Sequence, residues 1–326
     1  MVLTLVLFSV SATGQGEAAK QETVTLRAGH VNPPGEPAYE AWVLFEKLME
    51  ERLGDRIDVQ IFPQSQLGGE RDLIEQVQLG TLDMTAPSAG PLASYNKELL
   101  VLNLPYIFAT EDEMWQVLDG PVGDRLIEST LEATDILILD WWSTGVRHIF
   151  TPNQPIRTPA DMRGMKIRVM ENPIFIDSFL ALGSQPTPLP YPAVYESLQT
   201  GVVDAAENDS SGYRNMNFFE PAPYYSLTSH LIITKPLLIN PDYYNGLPDD
   251  VRTVLDECVA EATAYQRKLF AENFATDIEW LKEQGVTVIE DVQIGLFREK
   301  MTPVWAKYED RFGADLLADI KAELGI

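Results

Sequence analysis

Two arginine side chains stand where the sequence could bind an anion. Arg147 follows the strongly apolar run ILILDWW, and Arg168 alternates with Ile167 and Val169 in KIRVMENP. A buried guanidinium without a partner costs several kcal/mol, so each of these side chains needs one. A ligand carboxylate held by a bidentate fork would satisfy it. An internal ion pair with one of the 49 acidic side chains would do so equally well, and the sequence leaves both open.

Five other side chains have less specific signals. Glu70, in LGGERDL, lies near a predicted helix N-terminus, where a carboxylate favours the helix dipole with or without a ligand. His30 ends the first predicted strand and either donates to a ligand hydroxyl or caps the loop. Tyr191 lies between prolines, and core packing is its default role. Trp141 and Trp142 could stack on a sugar face, although one of them must point into the core of a strand.

Motifs of common enzyme classes are missing from the sequence. There is no GxSxG, GxxxxGK(S/T), GxGxxG or D-x-D-x-D-G segment. The single cysteine, Cys258, excludes a disulfide within the chain and a zinc site built on cysteines. The three histidines lie far apart, without HExxH spacing. These observations favour a binding protein without a metal or cofactor over an enzyme.

A short phrase occurs once in each half of the chain, QLGTLD at 78–83 and QTGVVD at 199–204. It is typical of a helix that is closed by glycine and followed by a buried strand, which predicts two similar α/β domains. Ligands bind beyond the carboxyl ends of parallel strands. Ser88 after the first copy, and Glu207, Asn208 and Asp209 after the second, are therefore expected to face a cleft.

The elements around both phrases alternate between strand and helix. Strands are predicted at 23–30, 55–63, 81–88, 165–171 and 202–209, and helices at 38–54, 69–80, 172–183 and 192–201. The segment SQPTPLP at 184–190 is expected to be an extended linker. This order favours mostly parallel sheets with helices on both faces.

One much longer helix is predicted from Pro248 to Gly285. Apolar residues keep helical spacing from Val251 to Val259, and no proline or glycine interrupts the run. At 1.5 Å per residue such a helix is roughly 50 Å long, which is more than the width of a small domain. We expect it to span both domains, with a break near Asn273 as the alternative.

Length, composition and charge restrict the class of protein. A chain of 326 residues with 45% apolar residues is expected to form about two domains. The formal net charge of −25 repels nucleic acid and anionic membranes. Because the acidic residues are dispersed, they indicate a solvated surface, with an acidic docking patch as the alternative.

The N-terminus has the pattern of a secretory signal peptide. An apolar run from Val2 to Val10 precedes small residues, and it is too short to cross a bilayer. We predict a signal peptide at 1–20, for which a truncated start would explain the missing basic region. A buried N-terminal strand is the alternative.

Seven segments together resemble the periplasmic solute-binding proteins of tripartite ATP-independent (TRAP) transporters, the DctP-like group. They are AGHVNPP, FPQSQLGGERDLIEQVQLGTLDMT, LNLPYIF, LDGPVG, RTPADMRGMKIRVMENP, YESLQTGVVDAAEN and YYSLTSH. The resemblance implies an α/β, two-domain periplasmic-binding-protein (Venus flytrap) fold with a long helix spanning both domains. It also implies a periplasmic protein that delivers an organic acid to TRAP permease membrane subunits. We expect a monomer, with domain I at 21–145 plus about 234–270 and domain II at 146–233 plus about 271–326.

The resemblance assigns roles to single residues. In the family an Arg of the KIRV strand forks the ligand carboxylate and matches Arg168, and a second Arg matches Arg147. The Asn that closes the DGxEN segment matches Asn208, and an aromatic residue ahead of the following helix matches Tyr191. Ser88 falls where relatives place a polar or acidic ligand contact.

The substrate hypothesis is a hexuronate or related sugar acid, with its carboxylate on Arg168 and Arg147. Its hydroxyl groups are expected to meet a polar cluster, namely Glu70, Asn172, Glu207, Asn208 and His30. Two departures from the family pattern affect the distal half of the pocket: Ala205 in place of the usual Gly, and DSSGY after Asn208. A C4-dicarboxylate or 2-keto acid binding protein is therefore the alternative. An enzyme on this scaffold and a chemoreceptor partner remain the rivals from other classes.

Overall fold

The computed structural model describes residues 23–325, so the predicted signal peptide at 1–20 lies outside the described residues. Within them, the strands are β1 (Val24–Gly29), β2 (Ile57–Phe62), β3 (Met84–Thr85), β4 (Leu137–Thr151), β5 (Lys166–Val169), β6 (Gln185–Pro188), β7 (Ala206–Asn208), β8 (Tyr224–Ile239) and β9 (Thr287–Ile289). The helices are α1 (Pro37–Leu53), α2 (Glu70–Gln78), α3 (Ala89–Leu92), α4 (Glu111–Leu118), α5 (Pro121–Thr134), α6 (Pro173–Ala181), α7 (Val194–Gln199), α8 (Ser210–Asn215), α9 (Pro241–Gly246), α10 (Asp249–Glu283), α11 (Ile294–Phe312) and α12 (Ala314–Leu324). No helix among these residues is long and apolar enough to span a membrane.

The first unit follows the predicted alternation closely. Strands β1, β2 and β3 are parallel neighbours, and α1 and α2 connect them. Helix α1 begins at Pro37, whose fixed φ suits the first turn, and is closed by Gly54 at φ 55°. The second unit repeats this arrangement with α6 and α7, where β5 and β6 form a parallel pair. The segment predicted as an extended linker, SQPTPLP, is therefore partly a strand.

The repeated phrase occupies the same structural step in both units. Gly80 and Gly201 follow the ends of α2 and α7, at φ 68° and 71°. A residue with a Cβ is strained in this left-handed region, so glycine is the residue that fits. The first copy leads into the short strand β3, which pairs with β1. The second leads into β7, and Ala205, directly before β7, forms a parallel bridge with Ile167 of β5.

The larger sheet is mixed rather than mostly parallel. Its order is β2-β1-β3-β8-β4-β7, with β9 beside β8. The two longest strands, β4 and β8, pair antiparallel along most of their length. They run from the first unit into the second, and their register shifts between Ser143 and Val146. The predicted domain boundaries at 145/146 and 233/234 fall inside these strands and remain a prediction.

Helix α10 is the predicted long helix, and it continues through Asn273 without a break. Its 35 residues pack against α1 in the first unit and α8 in the second, as well as against β4. The indole of Trp142 donates to Thr263 on α10 at 2.9 Å. Trp141 and Trp142 are both buried in the core, so neither is positioned to stack on a sugar.

Candidate functional site

A partly enclosed cavity lies between the two units, next to β4 and β8. About 440 Å³ of space there is not filled by protein atoms, and part of it is open to solvent. Six of the predicted site residues line it, namely Arg168, Arg147, Asn208, Tyr191, Ser88 and Glu70. The cavity also presents Asn32, Glu36, Thr144, Asp209 and Lys235, with Phe270 from α10. Both units and the shared strands therefore contribute to one site.

Arg168, on β5, has the least occupied guanidinium in the cavity. Its side chain is 3% exposed, and its Nε donates to the carbonyl of Leu189 at 2.9 Å. Among residues 23–325, no carboxylate pairs with Arg168 and no acceptor binds its two terminal nitrogens. Burial lowers the pKa of Arg168 to about 10, so the guanidinium is still charged at neutral pH. Four N–H donors are thus available to an anion in the cavity.

Arg147, on β4, is held by the protein itself. Glu207 accepts from its Nε at 2.6 Å and from Nη2 at 2.9 Å, through both carboxylate oxygens. The Glu207 carbonyl and the Asn208 Oδ1 accept two more hydrogen bonds, at 2.9 and 2.7 Å. Burial disfavours the carboxylate, but the positive charge of Arg147 lowers the pKa of Glu207 to about 2. The internal ion pair left open by the sequence is present, and one of the five N–H donors remains for a ligand.

Asn208, on β7, connects Arg147 to Tyr191 and to the opposite wall. Its Oδ1 accepts from Arg147, and its Nδ2 donates to the Tyr191 hydroxyl at 3.1 Å. The same hydroxyl donates to Glu36 Oε1 at 2.9 Å. Glu36 lies in the first unit, between β1 and α1, whereas Tyr191 lies between β6 and α7. This hydrogen bond closes one side of the cavity.

Glu70, the first residue of α2, forms the wall of the first unit. Its Oε1 accepts from the backbone and hydroxyl of Ser88, at 2.8 and 3.0 Å, and from Lys235 Nζ at 3.1 Å. Burial opposes ionisation, but Lys235 and Ser88 outweigh it and lower the pKa of Glu70. The carboxylate therefore has a specific partner beyond the helix dipole.

Two further acceptor groups reach the cavity. Asn32 donates from Nδ2 to Glu36, while its buried Oδ1 has no hydrogen-bond partner among residues 23–325. Asp209 uses Oδ1 to accept from the Gly212 amide at 2.9 Å and so caps α8. Burial raises the pKa of Asp209 to about 6. A donor group on a ligand would satisfy these oxygen atoms.

Three residues predicted at the ligand lie outside the cavity lining. His30 is buried against Trp42 at a ring distance of 6.1 Å, and burial lowers its pKa to about 3. Asn172 caps α6, accepting from Ile174, and donates to the Gly90 carbonyl. Glu207 lies behind Arg147. Capping and ion pairing therefore occupy Asn172 and Glu207, whereas His30 is held by packing and its buried Nδ1 has no hydrogen-bond partner among residues 23–325.

Sequence reasoning missed Lys235, Asn32 and Glu36. Lys235 had a usable signal, because it is a lone cation in the apolar strand HLIITKPLLIN. Asn32 and Glu36 lie in the proline-rich loop after β1, where no periodicity predicts which side chains turn inward. Asp209 was expected at the cleft and does line the cavity.

Residues 28–311 match the family model for DctP, bacterial extracellular solute-binding protein, family 7. A TRAP periplasmic solute-binding protein from Roseobacter denitrificans, solved with bound β-D-glucuronate, is 34% identical. It aligns with a TM-score of 0.87 over 92% of this chain and 99% of that chain. The chain belongs to this family.

This chain is also similar to two further proteins of the DctP family. A TRAP solute-binding protein from Sulfitobacter sp. NAS-14.1, with bound β-D-galacturonate, is 31% identical with a TM-score of 0.87. That alignment covers 93% of this chain and 100% of that chain. The C4-dicarboxylate-binding periplasmic protein DctP of Rhodobacter capsulatus is 32% identical over 93% of this chain and 92% of its own length. The predicted fold class, TRAP solute-binding function and periplasmic location are confirmed.

Proposed function

We propose that this DctP-family protein captures a hexuronate, or a closely related sugar acid, and delivers it to the membrane subunits of a TRAP permease. The observation that carries the proposal is the Arg168 guanidinium, buried at 3% exposure with four N–H donors directed to no protein acceptor within residues 23–325. A carboxylate accepts two parallel hydrogen bonds from such a fork and neutralises its charge. The ligand is therefore an acid whose carboxylate binds Arg168.

The remaining polar atoms favour a ligand that also donates hydrogen bonds. Asn32 Oδ1 is buried without a donor among residues 23–325, and the carboxylates of Asp209 and Glu70 also line the cavity. Sugar hydroxyl groups donate to such oxygen atoms, whereas a second carboxylate or a keto oxygen only accepts. The relatives with bound glucuronate and galacturonate support the same ligand class.

Lys235 is the observation that favours the alternative, a C4-dicarboxylate. Its buried ammonium uses one of three N–H donors on Glu70 and would attract a second ligand carboxylate. The Rhodobacter capsulatus relative is named for such ligands. However, Glu70 lies 3.1 Å from Lys235 and already neutralises it, so a second anion there would meet an existing ion pair. The hexuronate therefore remains the better fit.

Binding is coupled to closure in this proposal. Arg168 belongs to the second unit, while Glu70 and Asn32 belong to the first. A ligand that contacts both units stabilises the form in which the units meet, and so shifts the population toward it. We further propose a monomer that binds without turnover. Size-exclusion chromatography with light scattering tests the first point, and NMR of the ligand after prolonged incubation tests the second.

Isothermal titration of the mature protein with matched ligands tests the proposed substrate. The panel is D-glucuronate, D-galacturonate, D-glucose, D-galactose, succinate and pyruvate. Each neutral sugar carries a hydroxymethyl group where its uronate carries the carboxylate. We expect a uronate to bind and its neutral sugar to bind about 30-fold or more weakly, because Arg168 would remain unpaired. Binding of succinate without any uronate would establish the dicarboxylate alternative instead. Equal binding of a sugar and its uronate would overturn the role of Arg168.

A further inference from the structure

A hydrogen bond joins the two units directly beside the cavity. The Tyr191 hydroxyl donates to Glu36 Oε1 at 2.9 Å, across a sequence separation of 155 residues. Glu36 is 5% exposed and lies in the loop that leads into α1. Its second carboxylate oxygen accepts from the Asn32 amide in the same loop. Both oxygens of a carboxylate are thus held where the first unit meets the second.

Tyr191 is fixed from the other side by the groups behind the cavity. Asn208 Nδ2 donates to the Tyr191 hydroxyl at 3.1 Å, and Arg147 holds the Oδ1 of Asn208 at 2.7 Å. The Tyr191 ring packs edge-on against Phe218 at 5.8 Å. While Glu36 is ionised, the hydroxyl therefore directs its proton to Glu36. Separation of the two units would break the Tyr191–Glu36 bond and leave the rest of this chain of hydrogen bonds in place.

We propose that Glu36 and Tyr191 form a latch that holds the cavity closed around its ligand, and that closing the latch takes up a proton. The proposal rests on the proposed function, because it concerns capture of the sugar acid at this same site. In it Glu36 is a positioning residue, since it acts on the ligand through Tyr191 and through the closed arrangement of the units. Neither Glu36 nor this bond is part of the carboxylate site at Arg168.

The groups around Glu36 explain why it takes up a proton. Once Oε1 carries this proton, it donates to the Tyr191 oxygen, which has a lone pair besides the one used by Asn208, so the latch bond keeps its two partners with the direction reversed. Burial, and then the negative charge of Asp209 at the start of α8, raise the pKa of Glu36 to about 7. Lys235 on β8 and the hydrogen bonds of Asn32 and Tyr191 oppose this shift. In an open form Glu36 would regain water, and its pKa would return toward about 4.3.

The direction of the pH effect follows from this difference. The closed form binds a proton at Glu36 more tightly than the open form does, so closing takes up protons between about pH 4.3 and 7. The contribution of this group to ligand affinity is complete below that range and is lost as pH rises through 7. We expect affinity for a uronate to fall roughly twentyfold between pH 5.5 and 7.5.

Calorimetric titration of the wild-type protein with D-glucuronate and D-galacturonate at pH 6.5, in buffers with different ionisation enthalpies, measures how many protons are taken up per ligand bound. The test variants are Glu36→Gln and Tyr191→Phe. The chain offers matched controls, because the Tyr195 hydroxyl donates to Glu220 on the exposed surface in the same kind of bond. Tyr195→Phe and Glu220→Gln therefore alter a hydrogen bond of the same type without changing the cavity.

We expect wild type and both controls to take up about three quarters of a proton per ligand bound at this pH. Glu36→Gln should take up none and show a flat affinity between pH 5.5 and 7.5. Tyr191→Phe should weaken binding roughly threefold to tenfold, as loss of one buried hydrogen bond implies. Uronate binding with unchanged affinity and proton uptake in both variants would overturn the latch and leave the proposed function intact. Failure of wild type to bind any uronate would overturn the proposed function itself, and the two failures are therefore distinguishable.

Discussion

The two carboxylate oxygens of Glu207 hold the guanidinium of Arg147, at 2.6 Å from Nε and 2.9 Å from Nη2. Both side chains are almost fully buried, at 4% and 2% exposure. Arg168 lies at the same cavity, but only a backbone carbonyl accepts from it among residues 23–325. The fold thus uses one arginine for an internal ion pair and leaves the other for an anion. Substitution of Arg168 should therefore weaken ligand binding, whereas substitution of Arg147 should lower stability.

Arg168→Met is expected to abolish most ligand affinity while leaving the fold intact. The ligand carboxylate would be left buried without its partner, which costs about 2–5 kcal/mol, or 30-fold and more in affinity. The free energy of unfolding without ligand should not fall, because the substitution removes a buried charge that lacks a carboxylate partner in the described part of the chain, residues 23–325. Calorimetric titration with D-glucuronate and urea unfolding measure the two quantities. Wild-type affinity in the variant would contradict the assigned role.

Arg147→Met should instead destabilise the protein by about 3–5 kcal/mol, because Glu207 would be buried without its counter-charge. Urea unfolding at pH 7 measures this loss. The double substitution Arg147→Met with Glu207→Met should regain much of it, since it removes both charges. Arg163→Met, at an exposed position, is the control and should change stability by no more than about 0.5 kcal/mol. A single variant as stable as wild type would disprove the importance of this ion pair.

Acid should lower the free energy of unfolding by protonating Glu207. The folded pKa of about 2 lies below the unfolded value of about 4.3, so the stabilisation is complete above pH 4.3 and is lost as pH falls toward 2. We expect the urea midpoint of wild type to drop between pH 4.5 and 2.5. The double variant of Arg147 and Glu207 should show a shallower drop over this range. Parallel pH profiles for the two proteins would assign the acid sensitivity to other carboxylates.

Local rules predicted the elements whose determinants are near in sequence. Pro37 and Gly54 mark both ends of α1, and the uninterrupted run after Pro248 gives a single helix, α10. The segment SQPTPLP was not predicted as a strand, because it forms one only by pairing with β5. The strand propensity of a proline-rich segment gives no information about a distant strand with which it could pair.

The site shows the same division between local and distant information. Arg168 and Asn208 were expected there from the resemblance to TRAP solute-binding proteins, and both line the cavity. The pairing of Arg147 with Glu207 was not predicted, since a sequence with 49 acidic residues offers many partners for one arginine. Glu36 reaches Tyr191 from 155 residues away, and only the folded chain brings them together.

Gly212 tests whether the position of Asn208 determines binding. A Cβ at this position would lie 2.2 Å from Asn208 Nδ2, closer than a carbon atom can approach, and 3.0 Å from the Tyr191 hydroxyl, which is a tight contact. At an ordinary helical position, Ala is more stable than Gly by about 1 kcal/mol. A loss of binding in this variant would therefore come from the collision and not from helix propensity. We expect Gly212→Ala to displace the Asn208 amide and to weaken uronate binding about tenfold or more, as measured by calorimetric titration. Gly295→Ala is the control, because Gly295 lies in helix α11 and a Cβ there would meet nothing within 4 Å among the residues that the structure describes. If both variants bound a uronate as wild type does, the Asn208–Tyr191 contact would have no part in binding.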